Sequence, residues 1–158
     1  MKNKELVIDK IEKIMSIIVP EIDTPWDYGM GFPLFYAEIQ LLMIIKSNEG
    51  ANAGALAHTM KVTAGAVSQI AGKLLKKELI ESYRLPDNRK EVFFRLTKSG
   101  GKVFSAHQKH INKAGDAFMK FTDGLSRKDT QIICDFLDAW IQGVTDFYKP
   151  VRKQIKKT

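Results

Sequence analysis

Residues 82–97 read Ser82-Tyr83-Arg84-Leu85-Pro86-Asp87-Asn88-Arg89-Lys90-Glu91-Val92-Phe93-Phe94-Arg95-Leu96-Thr97, and this stretch decides the fold. Two short runs rich in aromatic and branched residues, 82–85 and 91–96, flank Pro86-Asp87-Asn88-Arg89-Lys90. Strand-forming runs separated by Pro, Asp and Asn predict a β-hairpin. Its tip carries an Arg and a Lys. Thr97 then opens a long helix, because Phe104, His107, Ile111, Ala114, Phe118 and Phe121 recur at intervals of three and four.

Upstream of the hairpin the texture is helical. Thr63 is a good N-cap for a helix reaching about residue 77, with Val67, Ile70 and Leu74 toward the core. The opposite face offers Ala64, Gly65, Ser68, Gln69, Gly72, Lys73 and Lys76, which are small, polar or basic. Such a face can enter a DNA groove closely. A turn, Lys61-Val62, separates it from a short helix over 53–60, capped by Asn52 and buried through Leu56 and Met60. Further back, a helix over 36–47 carries Ile39, Leu42, Met43 and Ile45 and ends by Gly50. A first helix over 4–19 places Val7, Ile11, Ile14 and Ile18 on one stripe. Between these two, Pro20, Pro25 and Pro33 with Gly29 and Gly31 make 20–34 irregular. Downstream, Asp123-Gly124 breaks the long helix, and Ser126 caps a last one with Ile133, Phe136, Leu137, Trp140, Val144 and Phe147 on one side.

Short helix, tight turn, second helix and basic hairpin make a winged helix-turn-helix, in which one helix reads base edges and the hairpin reaches a neighbouring groove or backbone. The fold class expected is mostly α with a small β-hairpin wing, flanked by dimerisation helices. We expect one domain over 1–158. Residues 35–104 form the winged unit, and 1–34 and 105–158 supply the dimerisation helices and a basic tail with Lys149, Arg152, Lys153, Lys156 and Lys157. The apolar stripes of the terminal helices are longer than a 158-residue monomer can readily cover, which points to a homodimer.

Charge is distributed accordingly. Residues 59–113 hold 12 basic and 4 acidic side chains, net +8, against a whole-chain net of +7. Concentrated positive charge suits a polyanion, since each cation set on a phosphate releases condensed counterions. A single cysteine, Cys134, excludes an intrachain disulfide. The N-terminal residues lack a signal-peptide apolar core, and the longest apolar stretch, 39–45, is too short to span a bilayer. The expected location is the cytoplasm, with no membrane partner.

Residues 87–100, Asp-Asn-Arg-Lys-Glu-Val-Phe-Phe-Arg-Leu-Thr-Lys-Ser-Gly, resemble the wing signature of the MarR family of bacterial and archaeal transcriptional regulators: Asp-x-Arg, a short β run, then Leu-Thr-x-x-Gly. Leu56-Ala57, Val62-Thr63, Val67, Leu74 and Leu79-Ile80 resemble that family's helix-turn-helix core. The resemblance covers nearly the whole chain. It implies a sequence-specific, double-stranded-DNA-binding regulator, a homodimer on a pseudo-palindromic operator, acting most often as a ligand-responsive repressor. The helix from Thr63 would enter the major groove, and Arg89 the minor groove, with Asp87 helping to hold the hairpin. The DNA-contacting set is then Thr63, Ala64, Gly65, Ser68, Gln69, Lys73, Lys76, Arg84, Asp87, Arg89 and Lys90. Three positions depart from the pattern: Lys61 stands where the turn often has Gly, Glu78 replaces a helix-ending Gly, and Gln69 replaces a frequent Arg.

Other features have competing readings. Trp26, Tyr28, Phe32 and Tyr36 either pack the junction of the first two helices or line a pocket for a small aromatic or apolar effector. His107 and His110 lie three apart and could begin a metal site, which would make a metal-responsive regulator. Such a site needs further ligands, and His58 lies in the DNA-binding part. His107 also falls on the apolar stripe, where a hydrogen-bonded core histidine is the commoner case, so no metal is assigned. Cys134 reads as an inert helix residue. No catalytic constellation or cofactor fingerprint occurs, so neither an enzyme nor a cofactor is expected. A winged helix that docks a protein instead of DNA is the remaining alternative.

Overall fold

The computed structural model describes the backbone of residues 3–155, and side chains over 5–149 other than those of Ala114 and Ala117. Of the expected features, Ala114 of the apolar stripe and the tail residues Arg152, Lys153, Lys156 and Lys157 lie outside the described side chains. The chain forms two compact units, residues 1–110 and 111–158.

The first unit contains α1 (Asn3–Asp23), α2 (Tyr36–Ser47), α3 (Ala53–Met60), α4 (Ala64–Lys76), β1 (Ile80–Leu85), β2 (Asn88–Leu96) and the start of α5 (Lys98–Asp123). Its core holds most of what the helical periodicities pick out: Ile39, Leu42 and Ile45 of α2, Leu56 of α3, and Val67 and Leu74 of α4, joined by Leu41, Ala71, Leu34, Leu79, Ile80, Phe94 and Val103. Met43, Met60 and Ile70, by contrast, are only partly buried at its edge. The caps form as the residue types require. Asn52 Oδ1 accepts the Ala55 N–H at 2.8 Å, and the Thr63 hydroxyl accepts that of Ala66 at 3.2 Å. Thr97 Oγ1 accepts from the Gly100 N–H at 3.0 Å and donates to the Glu78 carbonyl at 2.7 Å, so one hydroxyl starts α5 and ties it to the end of α4.

Three boundaries differ from the sequence reading, the simplest being β1, which starts at Ile80 instead of Ser82. Helix α1 continues through Pro20 to Asp23 instead of stopping at residue 19. Proline removes a single i→i−4 hydrogen bond, and the exposed last turn recovers a contact where the Thr24 hydroxyl donates to the Pro20 carbonyl at 3.0 Å. The irregular segment therefore begins at Thr24, and it is closed by a two-bond bridge between Trp26 and Leu34, 2.8 Å each way. The hairpin is also tighter than the five-residue tip expected: Pro86 and Asp87 alone make the turn, and Arg89 and Lys90 belong to β2. The antiparallel register runs from Ile80↔Leu96 to Tyr83↔Phe93 and then shifts to Leu85↔Asn88, leaving Arg84 opposite residues 89–92. Such a bulge twists and re-aims the strand end.

Lys61 and Glu78 are the two non-glycine residues with positive φ among the described residues, at +55° and +54°. They are the two positions where the resemblance leads one to expect glycine. A left-handed side-chain-bearing residue costs about 1–2 kcal/mol, partly offset on substitution by glycine's larger unfolded-state entropy, about 0.5–1 kcal/mol. Lys61→Gly and Glu78→Gly are each expected to raise the denaturant midpoint, by about 0.5–1 kcal/mol at unchanged slope. A lowered midpoint would show that these side chains contribute more than their backbone strain costs.

The second unit holds the remainder of α5 and α6 (Arg127–Ile155), which starts at Ser126, whose hydroxyl accepts the Asp129 N–H at 3.2 Å. Its apolar stripes are left uncovered: Phe118, Phe121, Phe136, Leu137, Val144 and Phe147 are all exposed, Phe147 by 70%. The same holds for Val7, Ile14 and Ile18 of α1.

Candidate nucleic-acid interface

Helix α4 buries Val67, Ala71 and Leu74 and thereby turns Ala64, Gly65, Ser68, Gln69, Lys73 and Lys76 to solvent. Thr63, at the N-cap, is exposed as well. The small residues lie in the first turns and the cations in the last two, so the N-terminal end can approach base edges while the other end meets phosphates. Gly72, placed by periodicity on the outer face, is instead half-buried and lines a cavity between α4 and the hairpin.

The hairpin presents Arg84, Asp87, Arg89 and Lys90, all exposed. The bracing role expected of Asp87 falls to other residues. Arg84 directs its guanidinium at the Arg89 backbone carbonyl across the turn. Asn88 and Glu91 bond to each other, with Asn88 Nδ2 donating to Glu91 Oε2 at 2.6 Å. Asp87 makes no hydrogen bond among the described residues. Lys73, Lys76, Arg89 and Lys90 have no acidic partner among the described residues either, so their charges stay available to an anion. By contrast Arg95 is held by Glu81 at 2.7 Å and stacks over Tyr83.

An ion pair that sequence reasoning missed sets the far end of α4. Glu38, 2% exposed, receives Lys77 Nζ at 2.7 Å on one oxygen and the Phe35 N–H at 2.9 Å on the other. Lys77 also donates to the Pro33 carbonyl at 2.8 Å and lies over the Phe32 ring. Removing either partner of so buried a pair costs about 3–5 kcal/mol, because the other charge is left uncompensated. A signal was present: Glu38 shares a helical face with Leu41, Leu42 and Ile45, an acid within an apolar stripe.

Of the four residues proposed for an effector pocket, three come together. Trp26, Tyr28 and Tyr36 line a cavity of about 160 Å³ with Ile18, Ile22, Ile39 and His107. Phe32 does not join them; it is turned to Lys77. The cavity is smaller than the ~300–1,000 Å³ of ordinary small-molecule sites. His107 Nδ1 is 2.7 Å from the Tyr28 hydroxyl. Burial, and then the neighbouring His110, hold the His107 pKa below its usual value, and burial raises that of Tyr28. Both shifts favour the neutral groups, and a neutral His107 with an unprotonated Nδ1 can accept a hydrogen bond from the Tyr28 hydroxyl. His110 meets the Trp26 ring edge-on at 4.8 Å. Among the described residues, no three His, Cys, Asp or Glu are grouped so as to hold a metal ion. Cys134 is exposed. No described helix is long and apolar enough to cross a membrane.

Comparison with known proteins agrees with this geometry. The family model that matches, over residues 35–92, is that of the MarR family. The HTH-type transcriptional regulator PchR of Bacillus subtilis is 35% identical over 106 residues, which are 67% of this chain and 63% of PchR. The chain thus aligns with somewhat under two thirds of that relative's length. Among solved structures, wild-type ZitR of Lactococcus lactis in complex with DNA superposes with a TM-score of 0.72 at 19% identity, covering 91% of this chain and 99% of ZitR. The adhesin competence repressor AdcR of Streptococcus pyogenes gives 0.70 at 16% identity, covering 86% and 96%. At these identities the two structures establish the fold.

Proposed function

The chain belongs to the MarR family through residues 35–92, and on that premise we propose that it is a cytoplasmic, homodimeric repressor that binds a pseudo-palindromic operator in double-stranded DNA. The observation that carries this reading is the pairing of α4 with the hairpin: one exposed face, small then basic with Lys73 and Lys76, beside a strand bearing Arg89 and Lys90, these four cations lacking acidic partners among the described residues. Residues 35–104 contact DNA, and residues 1–34 and 105–158 join two copies through the uncovered stripes of α1, α5 and α6. Together they act as a single regulatory domain with no catalytic step. The cavity at Trp26, Tyr28 and Tyr36 receives a small aromatic or apolar effector. That ZitR was solved on DNA supports the same use of the shared fold.

The test is selection of duplexes from a random pool by the purified protein. Two inverted half-sites about 34–36 Å apart, one helical turn, are expected. Gln69→Ala should relax preference at one base pair per half-site by about 1–3 kcal/mol, adenine being the base a Gln reads best, whereas Lys76→Ala should weaken all duplexes alike. The reverse pattern would mean α4 is oriented differently in the groove. Sedimentation should show a dimer, and a stable micromolar monomer would defeat the assembly.

A further inference from the structure

Between α4 and the hairpin lies a cavity of about 430 Å³, with Ser68, Ala71 and Gly72 on one side and Ser82, Val92 and Phe94 on the other. The base of the hairpin packs against α4, with Ile80 and Phe94 in one core cluster with Val67, Ala71 and Leu74, but along this cavity the hairpin stands off the helix. There β2 is tied to α3. Glu91 Oε1 accepts from Asn52 Nδ2 at 2.8 Å, and Oε2 from Asn88 Nδ2 at 2.6 Å. The Glu91 N–H in turn donates to Asn88 Oδ1 at 3.3 Å. Asn52 is also the N-cap of α3, its Oδ1 taken by the Ala55 N–H, and its backbone forms an isolated bridge with Phe93. Each amide has both ends engaged, so their orientations are determined by their partners.

Glu91 is the one acid on β2, beside Arg89 and Lys90, yet among the described residues it pairs with no cation. An acid on a face that meets phosphates repels them, so its presence there calls for a compensating role. We propose that Glu91 is a positioning residue for DNA recognition: it clamps β2 to the start of α3 and so sets the distance between α4 and Arg89. This rests on the DNA-binding reading above. A helix in the major groove and an arginine in the adjacent minor groove must be spaced to match the duplex. The bulge opposite Arg84 interrupts the paired register over residues 89–92, where the Arg84 guanidinium meets the Arg89 carbonyl and the contacts of Glu91 supply the tie to α3.

The experiment compares wild type, Glu91→Ala and Glu91→Gln on a duplex selected by the wild type and on an unselected duplex of equal length. The two variants have the same charge. If Glu91 acts only through its charge, both should bind both duplexes more tightly than wild type. The clamp predicts that Glu91→Ala binds the selected duplex about tenfold more weakly, near the lower end of what one mis-set base contact costs. It should gain or hold affinity on the unselected one. Glu91→Gln, whose carbonyl can still accept from Asn52, should fall between Glu91→Ala and wild type on the selected duplex. Glu91→Ala binding that duplex as tightly as wild type would overturn the proposal. A second measurement needs no DNA: amide hydrogen exchange at Ala55 and over residues 89–93 should quicken in Glu91→Ala, with circular dichroism unchanged. Unchanged exchange there would equally overturn the clamp. If the wild type selects no sequence at all, the DNA-binding reading fails, and exchange alone decides the clamp.

Discussion

Affinity for the proposed operator is expected to fall by about 10³–10⁵ between 50 and 200 mM salt, if the proposed dimer covers on the order of 6–10 phosphates. The physical origin is counterion release from DNA as cations replace condensed ions. Lys73, Lys76, Arg89 and Lys90 can serve in this way because no carboxylate in the described structure neutralises them. Arg89→Ala should weaken binding and lower the salt slope by up to about one unit per subunit. It should leave circular dichroism and the mass of the proposed dimer unchanged, since among the described residues the turn engages Arg89 through its backbone carbonyl, which alanine retains. Arg84→Ala should behave differently. Its guanidinium braces the turn, so its loss should loosen the hairpin even without DNA. The measurement is a salt titration of wild type and both variants on a selected duplex. A folded Arg89→Ala protein with wild-type affinity and slope would refute the wing assignment. A protein-docking winged helix, the rival reading, predicts no sequence-selective binding at any salt.

Gly100→Ala is expected to abolish stable folding, whereas Gly101→Ala, one residue on, should be tolerated. A Cβ at position 100 would stand 1.9 Å from the Leu79 carbonyl oxygen and 3.0 Å from its carbon. That carbonyl cannot yield, because Leu79 is fully buried and its oxygen accepts the Thr97 N–H at 3.1 Å. Nor can α5 shift away, since Thr97 also bonds to the Glu78 carbonyl. Relieving the overlap means breaking the junction of α4, β1 and α5. We expect a loss above about 4–5 kcal/mol, a large share of the 5–15 kcal/mol typical of a domain. At Gly101 no atom of the described residues lies within 4 Å of an added Cβ. Alanine there should stabilise the helix by about 0.5–1 kcal/mol. Thermal and urea melts of the pair decide it, and a Gly100→Ala midpoint close to wild type would mean that the α4–α5 junction is looser than described.

The glycine of Leu-Thr-x-x-Gly was visible as a motif, but the reason for it was not: the clash involves a backbone oxygen 21 residues earlier. What the sequence read well was local. Helices α2, α3 and α4 begin and end within a residue of their expected limits, because Asn52 and Thr63 cap within three residues and apolar periodicity shows directly along the chain. The Lys61 and Glu78 departures likewise marked the two strained backbone positions, since positive φ is a property of a single residue and glycine is its usual occupant. The unpaired stripes of α1, α5 and α6 were legible for the same reason. The hairpin tip was read too long because Pro, Asp and Asn all favour turns, and only the register against β1 shows where pairing resumes.

Tertiary structure alone decided which polar groups meet. Glu38 with Lys77 and Asn52 with Glu91 are each separated by 39 residues. It also sent Phe32 to Lys77 and away from the cavity its aromatic neighbours line, and gave Arg84 the Arg89 carbonyl. Periodicity tells which side of a helix is apolar, a property averaged over several turns and robust to small rotations. A hydrogen bond depends on a few tenths of an ångström and on direction. Where one forms between distant residues is settled only when the core has packed and brought their backbones to a fixed separation.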